Sequence, residues 1–203
     1  MGLIAAIAVL LVLFALMSRK KARPPVSGAR RVLVVLGSGG HTTEMLTLLK
    51  AFDSNLWHFV FVLASTDSTS ETRVLKLFGP AVFERIPRSR EVGQSYVSSI
   101  LSTFISLLYC ITVIVRNDRF DAILCNGPGT CIPLCILFWI LNLLRFILGF
   151  PDRTRIVFVE SFCRVKTLSL SGKILYRIAD RFVVQWPQLK KMYPRAEYLG
   201  ILS

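Results

Sequence analysis

Val32-Leu33-Val34-Val35-Leu36, followed at once by Gly37-Ser38-Gly39-Gly40-His41-Thr42, decides how the rest of the chain is read. A short apolar, β-branched run without polar alternation is the pattern of a strand buried on both faces of a parallel sheet. The glycines end it, and Thr42 to Phe52 predicts a helix with Met45, Leu46, Leu48 and Leu49 on its apolar side. Strand, glycine turn and helix form the opening unit of an α/β fold.

The unit recurs along the chain. Strands are expected at Phe59–Ala64, Ala81–Ile86, Asp121–Cys125, Ile156–Glu160, Arg181–Gln185 and Glu197–Leu199. Helices are expected at Glu71–Phe78, Ser95–Val115, Cys131–Leu148 and Leu168–Ile178. Such alternation implies a Rossmann-like parallel sheet with right-handed crossovers, occupying residues 31–203. The helices at 98–115 and 131–148 are apolar enough to be mistaken for membrane spans. Each falls where the alternation needs a crossover, and a span there would break the sheet, so both are read as helices of the domain whose outer faces touch the leaflet.

The N-terminus is different. Leu3 to Met17 is uninterruptedly apolar, and Arg19, Lys20, Lys21 and Arg23 follow it. A cleavable signal carries its charge before the apolar run, so residues 1–23 read as one transmembrane anchor with its basic stop. Basic flanks stay cytosolic, which puts the N-terminus in the lumen and the domain in the cytosol. Pro24, Pro25, Ser27 and Gly28 fall in a linker, residues 24–30.

The chain of 203 residues is 53% hydrophobic and carries a formal charge of +13. That charge suits an anionic leaflet, a phosphorylated lipid or a nucleic acid. The apolar excess favours the membrane, and without zinc-finger spacing or an RNP-type motif no nucleic acid partner is expected. The five cysteines, Cys110, Cys125, Cys131, Cys135 and Cys163, lie in apolar stretches without metal-ligand spacing. They read as buried, reduced thiols, and no metal site is expected.

The chemistry is expected on the loops. Gly37-Ser38-Gly39-Gly40-His41-Thr42 would bring backbone N–H groups and a helix N-terminus to an anion. It is not a dinucleotide fingerprint, since Thr42 stands where the third glycine belongs and the acidic ribose partner is missing downstream. No Lys-Ser/Thr follows for a P-loop. A neutral His41 beside this loop is suited to take a proton from a sugar hydroxyl, and a histidine that merely caps the helix is the other reading. Asn126-Gly127-Pro128-Gly129-Thr130 leaves a later strand on the same edge of the sheet, where open α/β sheets bind ligands. Glu160 ends another strand there and could hold sugar hydroxyls, orient His41 or cap its loop. Arg88, Arg90 and Glu91 add charge, arginine being suited to bidentate pairing with phosphate.

These runs, with Arg88-Ser89-Arg90-Glu91-Val92-Gly93-Gln94 and Val159-Glu160-Ser161-Phe162-Cys163-Arg164-Val165, resemble the asparagine-linked glycosylation protein 14 family. The resemblance runs in order over nearly the whole chain, anchor included. It implies the N-terminal acceptor lobe of a GT-B glycosyltransferase, related to the bacterial enzyme that makes lipid II. The implied reaction moves N-acetylglucosamine from UDP-GlcNAc to dolichyl-diphosphate-GlcNAc at the endoplasmic reticulum membrane, inverting and without cofactor or protein-bound metal. His41 and Glu160 would be catalytic, and Gly37, Ser38, Gly39, Gly40 and Thr42 a phosphate loop. Arg88, Arg90, Glu91, Asn126, Gly127 and Gly129 would bind the acceptor, a lipid diphosphate. The resemblance covers only this lobe, so the UDP-GlcNAc site would come from a soluble partner docking on Leu199, Ile201 and Leu202. A membrane scaffold without chemistry of its own is the rival reading, and a single-chain dehydrogenase a weaker third.

Overall fold

The structure, a computed structural model, describes residue 7 and residues 29–89, 98–117 and 119–202. The anchor, but for Ile7, and most of the linker lie outside them, as do Arg90 and Glu91.

Seven strands form one sheet: β1 (Arg30–Val35), β2 (Trp57–Ala64), β3 (Val82–Ile86), β4 (Ala122–Cys125), β5 (Arg155–Val159), β6 (Arg181–Val184) and β7 (Glu197–Tyr198). Their order is β3-β2-β1-β4-β5-β6-β7, and every pair is parallel. The order reverses at β1, whose neighbours are β2 and β4, and the loops leaving β1 and β4 therefore open side by side. Such a switch point is where open α/β sheets form their ligand crevice. Each expected strand is present within two residues of its expected bounds.

Helices α1 (Gly40–Leu49) and α2 (Thr69–Phe78) cover one face of the sheet. Helices α3 (Ser98–Arg116), α4 (Cys131–Ile147) and α5 (Leu170–Leu175) cover the other. The strands alternate accordingly. Val32, Val34, Leu124, Val159 and Val183 face the α1–α2 layer. Leu33, Val35, Ile123, Cys125, Ile156 and Phe158 face the α3–α5 layer. A sixth helix, α6 (Pro187–Met192), was not expected; Pro187 stands in its first turn, where a missing N–H costs nothing.

Helix α3 is apolar on two sides. Cys110 and Val113 face the core, while Leu101, Phe104, Ile105, Leu108, Tyr109 and Val115 are exposed. Helix α4 adds Trp139, Leu143, Phe146 and Ile147 to the exposed apolar surface at its C-terminal end. Among the described residues no helix is long and apolar enough to cross a membrane.

Four of the five cysteines are buried, while Cys163 is exposed in the loop after β5, contrary to expectation. Burial pushes the Cys110 thiol up to about 12. Burial first, then the neighbouring Cys131 and Cys135, holds Cys125 well above the ordinary thiol range. Among the described residues no cluster of His, Cys, Asp or Glu is arranged to hold a metal ion.

Phe158 is fully buried and stacks on Phe182 with ring centroids 5.0 Å apart, joining β5 to β6 beneath α5. Phe158→Ala is expected to cost about 3–5 kcal/mol, as large core deletions do. Chemical denaturation measures it; a loss below ~1 kcal/mol would mean that the stack does not hold this layer together.

Candidate functional site

Helix α1 begins at the switch point because Gly39, with φ of 63°, turns the chain off β1 as its N-cap. The first N–H groups of a helix have no partner within it, and the helix dipole adds partial positive charge there. Ser38, Gly39 and Gly40 are exposed at this end, so the backbone is open to an anion.

Thr42 is not open to a ligand. It is fully buried, and its hydroxyl donates to the Gly37 carbonyl at 2.6 Å, with the Ser70 hydroxyl oxygen 2.7 Å away. Ser70 in turn donates to Asp67 at 2.7 Å. The expected contact of Thr42 with phosphate is thus replaced by an internal role, which is to pin the glycine loop to α2. Arg73 supports the loop from outside, donating to the Gly39 carbonyl at 3.3 Å and to Thr43 at 3.0 Å.

His41 lines a cleft of about 220 Å³ with Gly37, Ser38, Asp67, Arg88, Gly127 and Gly129. Arg88 is half-buried there, its Nε donating to Thr66 at 3.0 Å. Glycine is required where the imidazole packs. A Cβ on Gly37 would lie 2.7 Å from the His41 Cβ, and one on Gly127 would lie 2.7 Å from Cε1. Gly127 also has φ of 75°, which side chains disfavour.

The ring's protonation pattern follows from its neighbours. His41 Nδ1 lies 3.2 Å from Asn126 Oδ1. On its other side the Asn126 amide donates through Nδ2 to Glu44 Oε2 at 3.1 Å and to the Val159 carbonyl at 3.4 Å. Both of those groups only accept, so the amide nitrogen belongs to them and the oxygen faces His41. His41 Nδ1 must then donate, so that in the neutral ring the lone pair is on Nε2.

Glu160 takes no part in this chain. Its carboxylate is fully buried and accepts from the Ser161 amide at 3.1 Å, the Ser169 amide at 2.9 Å and the Ser169 hydroxyl at 3.1 Å. Burial raises its pKa, and the Ser169 and Ser161 hydrogen bonds and the charge of Arg164 offset this in part. It shares the strand face of Ile156 and Phe158, beside α5, whereas α1 packs on the opposite face. Of the roles considered for it, the structure places it as the cap of its own loop.

Glu44, which carried no sequence expectation, accepts from Ser161 Oγ at 2.8 Å and from the Phe162 amide at 3.3 Å. The signal was its place three residues after His41, which on a helix is the same face.

At the C-terminus, Leu199 and Ile201 are 61% and 58% exposed. Leu202 is not: it packs partly against the α1–α2 core, and its amide donates to Gln185 at 2.8 Å. A wider groove of 580 Å³ is lined by Leu168, Lys173, Tyr176, Arg177, Tyr193 and Arg195. Arg195 there is spent on the carbonyls of Tyr176, Arg177 and Ala179, and no histidine or carboxylate lines the groove, so the smaller cleft is the candidate site.

Gly127→Ala is expected to displace the imidazole and to cost about 1–3 kcal/mol in backbone strain. The His41 side-chain resonances and a thermal melt report the two effects. Unchanged ring signals would show that Gly127 does not set the position of His41.

Comparisons with known proteins identify the family of the chain. Residues 32–202 match the family described as "Oligosaccharide biosynthesis protein Alg14 like". The UDP-N-acetylglucosamine transferase subunit alg14 of Schizosaccharomyces pombe is 46% identical over 182 residues, 86% of this chain and 84% of its own. The Mus musculus subunit of the same name is 42% identical over 183 residues, 84% of this chain and 82% of its own. Acinetobacter baumannii MurG superposes with a TM-score of 0.52 at 17% identity, covering 78% of this chain and 42% of that one. That last likeness speaks for the fold alone. With the family matched from β1 to Leu202 and its members alike over most of their length, the chain belongs to the Alg14-like oligosaccharide biosynthesis family.

Proposed function

We propose that this chain is the acceptor-binding subunit of a split UDP-GlcNAc transferase, and that it recruits a soluble donor-binding subunit to the endoplasmic reticulum membrane. The observation that carries the reading is the His41–Asn126 pair, which leaves Nε2 able to accept a proton beside a glycine loop suited to phosphate. The relatives, named as subunits of a UDP-N-acetylglucosamine transferase, supply the sugar donor and the need for a partner.

In this reading the acceptor is dolichyl-diphosphate-GlcNAc. Its diphosphate lies on the N-terminus of α1, against the backbone of Ser38 to Gly40, with Arg88 pairing with a phosphate oxygen. His41 Nε2 takes the proton of an acceptor-sugar hydroxyl as that oxygen attacks C1 of UDP-GlcNAc. The C1–O bond to UDP breaks, UDP departs, and the configuration at C1 inverts. Arg90 and Glu91 are further candidates for acceptor contacts. The N-terminal apolar segment anchors the chain with its N-terminus lumenal and the α/β domain cytosolic. The exposed apolar face of α3 and the end of α4 suit a leaflet, which would bring the cleft to the lipid headgroup. The donor-binding subunit docks on Leu199 and Ile201, whose exposure supports the assignment.

Assay of the full chain with its copurifying partner, using UDP-GlcNAc and a lipid-diphosphate-GlcNAc acceptor, tests this. His41→Ala is expected to lower turnover by ~100-fold or more while the partner still copurifies. Wild-type turnover in that variant would leave the chain a scaffold. Leu199→Asp combined with Ile201→Asp is expected to weaken partner capture by about tenfold or more, from the apolar area these side chains would bury. The melting temperature should hold, since neither is in the core; undiminished capture would move the interface elsewhere.

A further inference from the structure

Glu44 sits three residues after His41 on α1, is partly buried, and spends its carboxylate on groups from distant strands. We propose that Glu44 is the positioning residue that fixes the tautomer of His41, acting through the side-chain amide of Asn126. The inference rests on His41 as the proton acceptor.

Without Glu44 the Asn126 amide would lose the stronger of the two acceptors that fix its direction. Asn126 is buried at the end of β4, and its amide can be rotated by half a turn with little change in shape. Two acceptors hold the nitrogen in place, Glu44 Oε2 at 3.1 Å and the Val159 carbonyl at 3.4 Å. The bond to Val159 is long, and the bond to Glu44 is shorter and charge-assisted, so the carboxylate is the stronger guide. Turned around, the amide would offer its nitrogen to His41 Nδ1. The ring proton would then move to Nε2, the nitrogen that must be bare to take the proton of a sugar hydroxyl. One flip of a buried amide would convert the base into its inactive tautomer.

Glu44 is itself held so that it cannot relax. Ser161 Oγ donates to Oε1 at 2.8 Å, and the Phe162 amide donates to Oε2 at 3.3 Å. Phe162 is fixed in turn by Trp186, whose Nε1 donates to its carbonyl at 2.6 Å and whose ring stacks on it with centroids 6.3 Å apart. The carboxylate therefore sits between the loop after β5 and the loop after β4 and orders the ring one helical turn away. It does not line the cleft, and its effect passes through Asn126.

The test compares Glu44→Ala with Glu44→Gln in the full chain assembled with its partner. Glutamine can keep an oxygen toward Asn126 and give its NH2 to the Ser161 hydroxyl, which rotates to accept. Glu44→Ala is expected to lower kcat by about tenfold or more with the acceptor KM within about twofold, and Glu44→Gln to recover most of the loss. The decisive readout is independent of activity: nitrogen-15 signals of the full chain labelled at histidine. The chain has two histidines, and His58→Gln assigns the signals. The Nδ1–H tautomer should dominate in the wild type and in Glu44→Gln, and should be mixed or reversed in Glu44→Ala. Should the alanine variant fail to fold, Glu44→Met, which fills similar space without a strong acceptor, reads the same signals. An unchanged tautomer in the variants lacking the acceptor overturns the proposal, whatever the activity. A reversed tautomer with full turnover upholds the positioning role and instead sinks the reading of His41 as the base.

Discussion

Parallel pairing of β1 with β4, with Val35 opposite Cys125, is the constraint on which the site depends. The pairing sets the glycine loop after β1 beside the loop after β4, although His41 and Asn126 are 85 residues apart in the chain. The next pairing, of β4 with β5, brings Ser161 and Phe162 within reach of Glu44. The segments that follow β1, β4 and β5 thus bring these groups to the same edge of the sheet, and buried apolar packing on both faces holds them there. The polar network is then a by-product of register, since slipping any one strand by a residue would carry its terminal side chain to the opposite face.

That edge is polar in a protein that is otherwise unusually apolar, with 53% hydrophobic residues. Thr42, Ser70 and Asp67 are buried on one side of it and Glu160, Ser161 and Ser169 on another, and each has hydrogen-bond partners. Satisfied networks of this kind are stiff, because leaving any donor or acceptor unpaired in the interior costs about 1–3 kcal/mol. A loop that receives a charged headgroup gains from such stiffness: its N–H groups are already aimed, and little ordering remains to be done on binding.

Most of the fold was legible because β1, β2, β4, β5 and β6 each carry a short run rich in Val, Ile, Leu and Phe that is closed by glycine or a polar residue. Helix α6 was not, since Pro187-Gln188-Leu189-Lys190-Lys191-Met192 is too short for a helical period to show. The site was legible at His41, Gly127 and Asn126, where glycine and a strand end coincide. Glu160 was misplaced for a reason the sequence already contained. It keeps the parity of Ile156 and Phe158, which face α5, while Ser161 keeps the parity of Val159, which faces α1. Counting that alternation past the strand end would have sent Ser161, not Glu160, toward the histidine. Glu44 was hidden by its helix, where Met45, Leu46, Leu48 and Leu49 set the apolar side and a carboxylate between them and the glycines adds nothing to that period. Thr42 stood in a glycine run and was read with it, but its hydroxyl had a nearer acceptor in the Gly37 carbonyl.

Gly127 excludes side chains by handedness as well as by bulk. An L-residue meets two obstacles there, a φ of 75° and a Cβ 2.7 Å from the imidazole Cε1. A D-residue prefers positive φ, the mirror image of the ordinary helical region, and carries its Cβ on the other side of Cα. D-alanine introduced at 127 by chemical ligation would leave the ring its space, where the L-enantiomer of the same size would not. Glycine stands in that loop as the one coded residue without a hand.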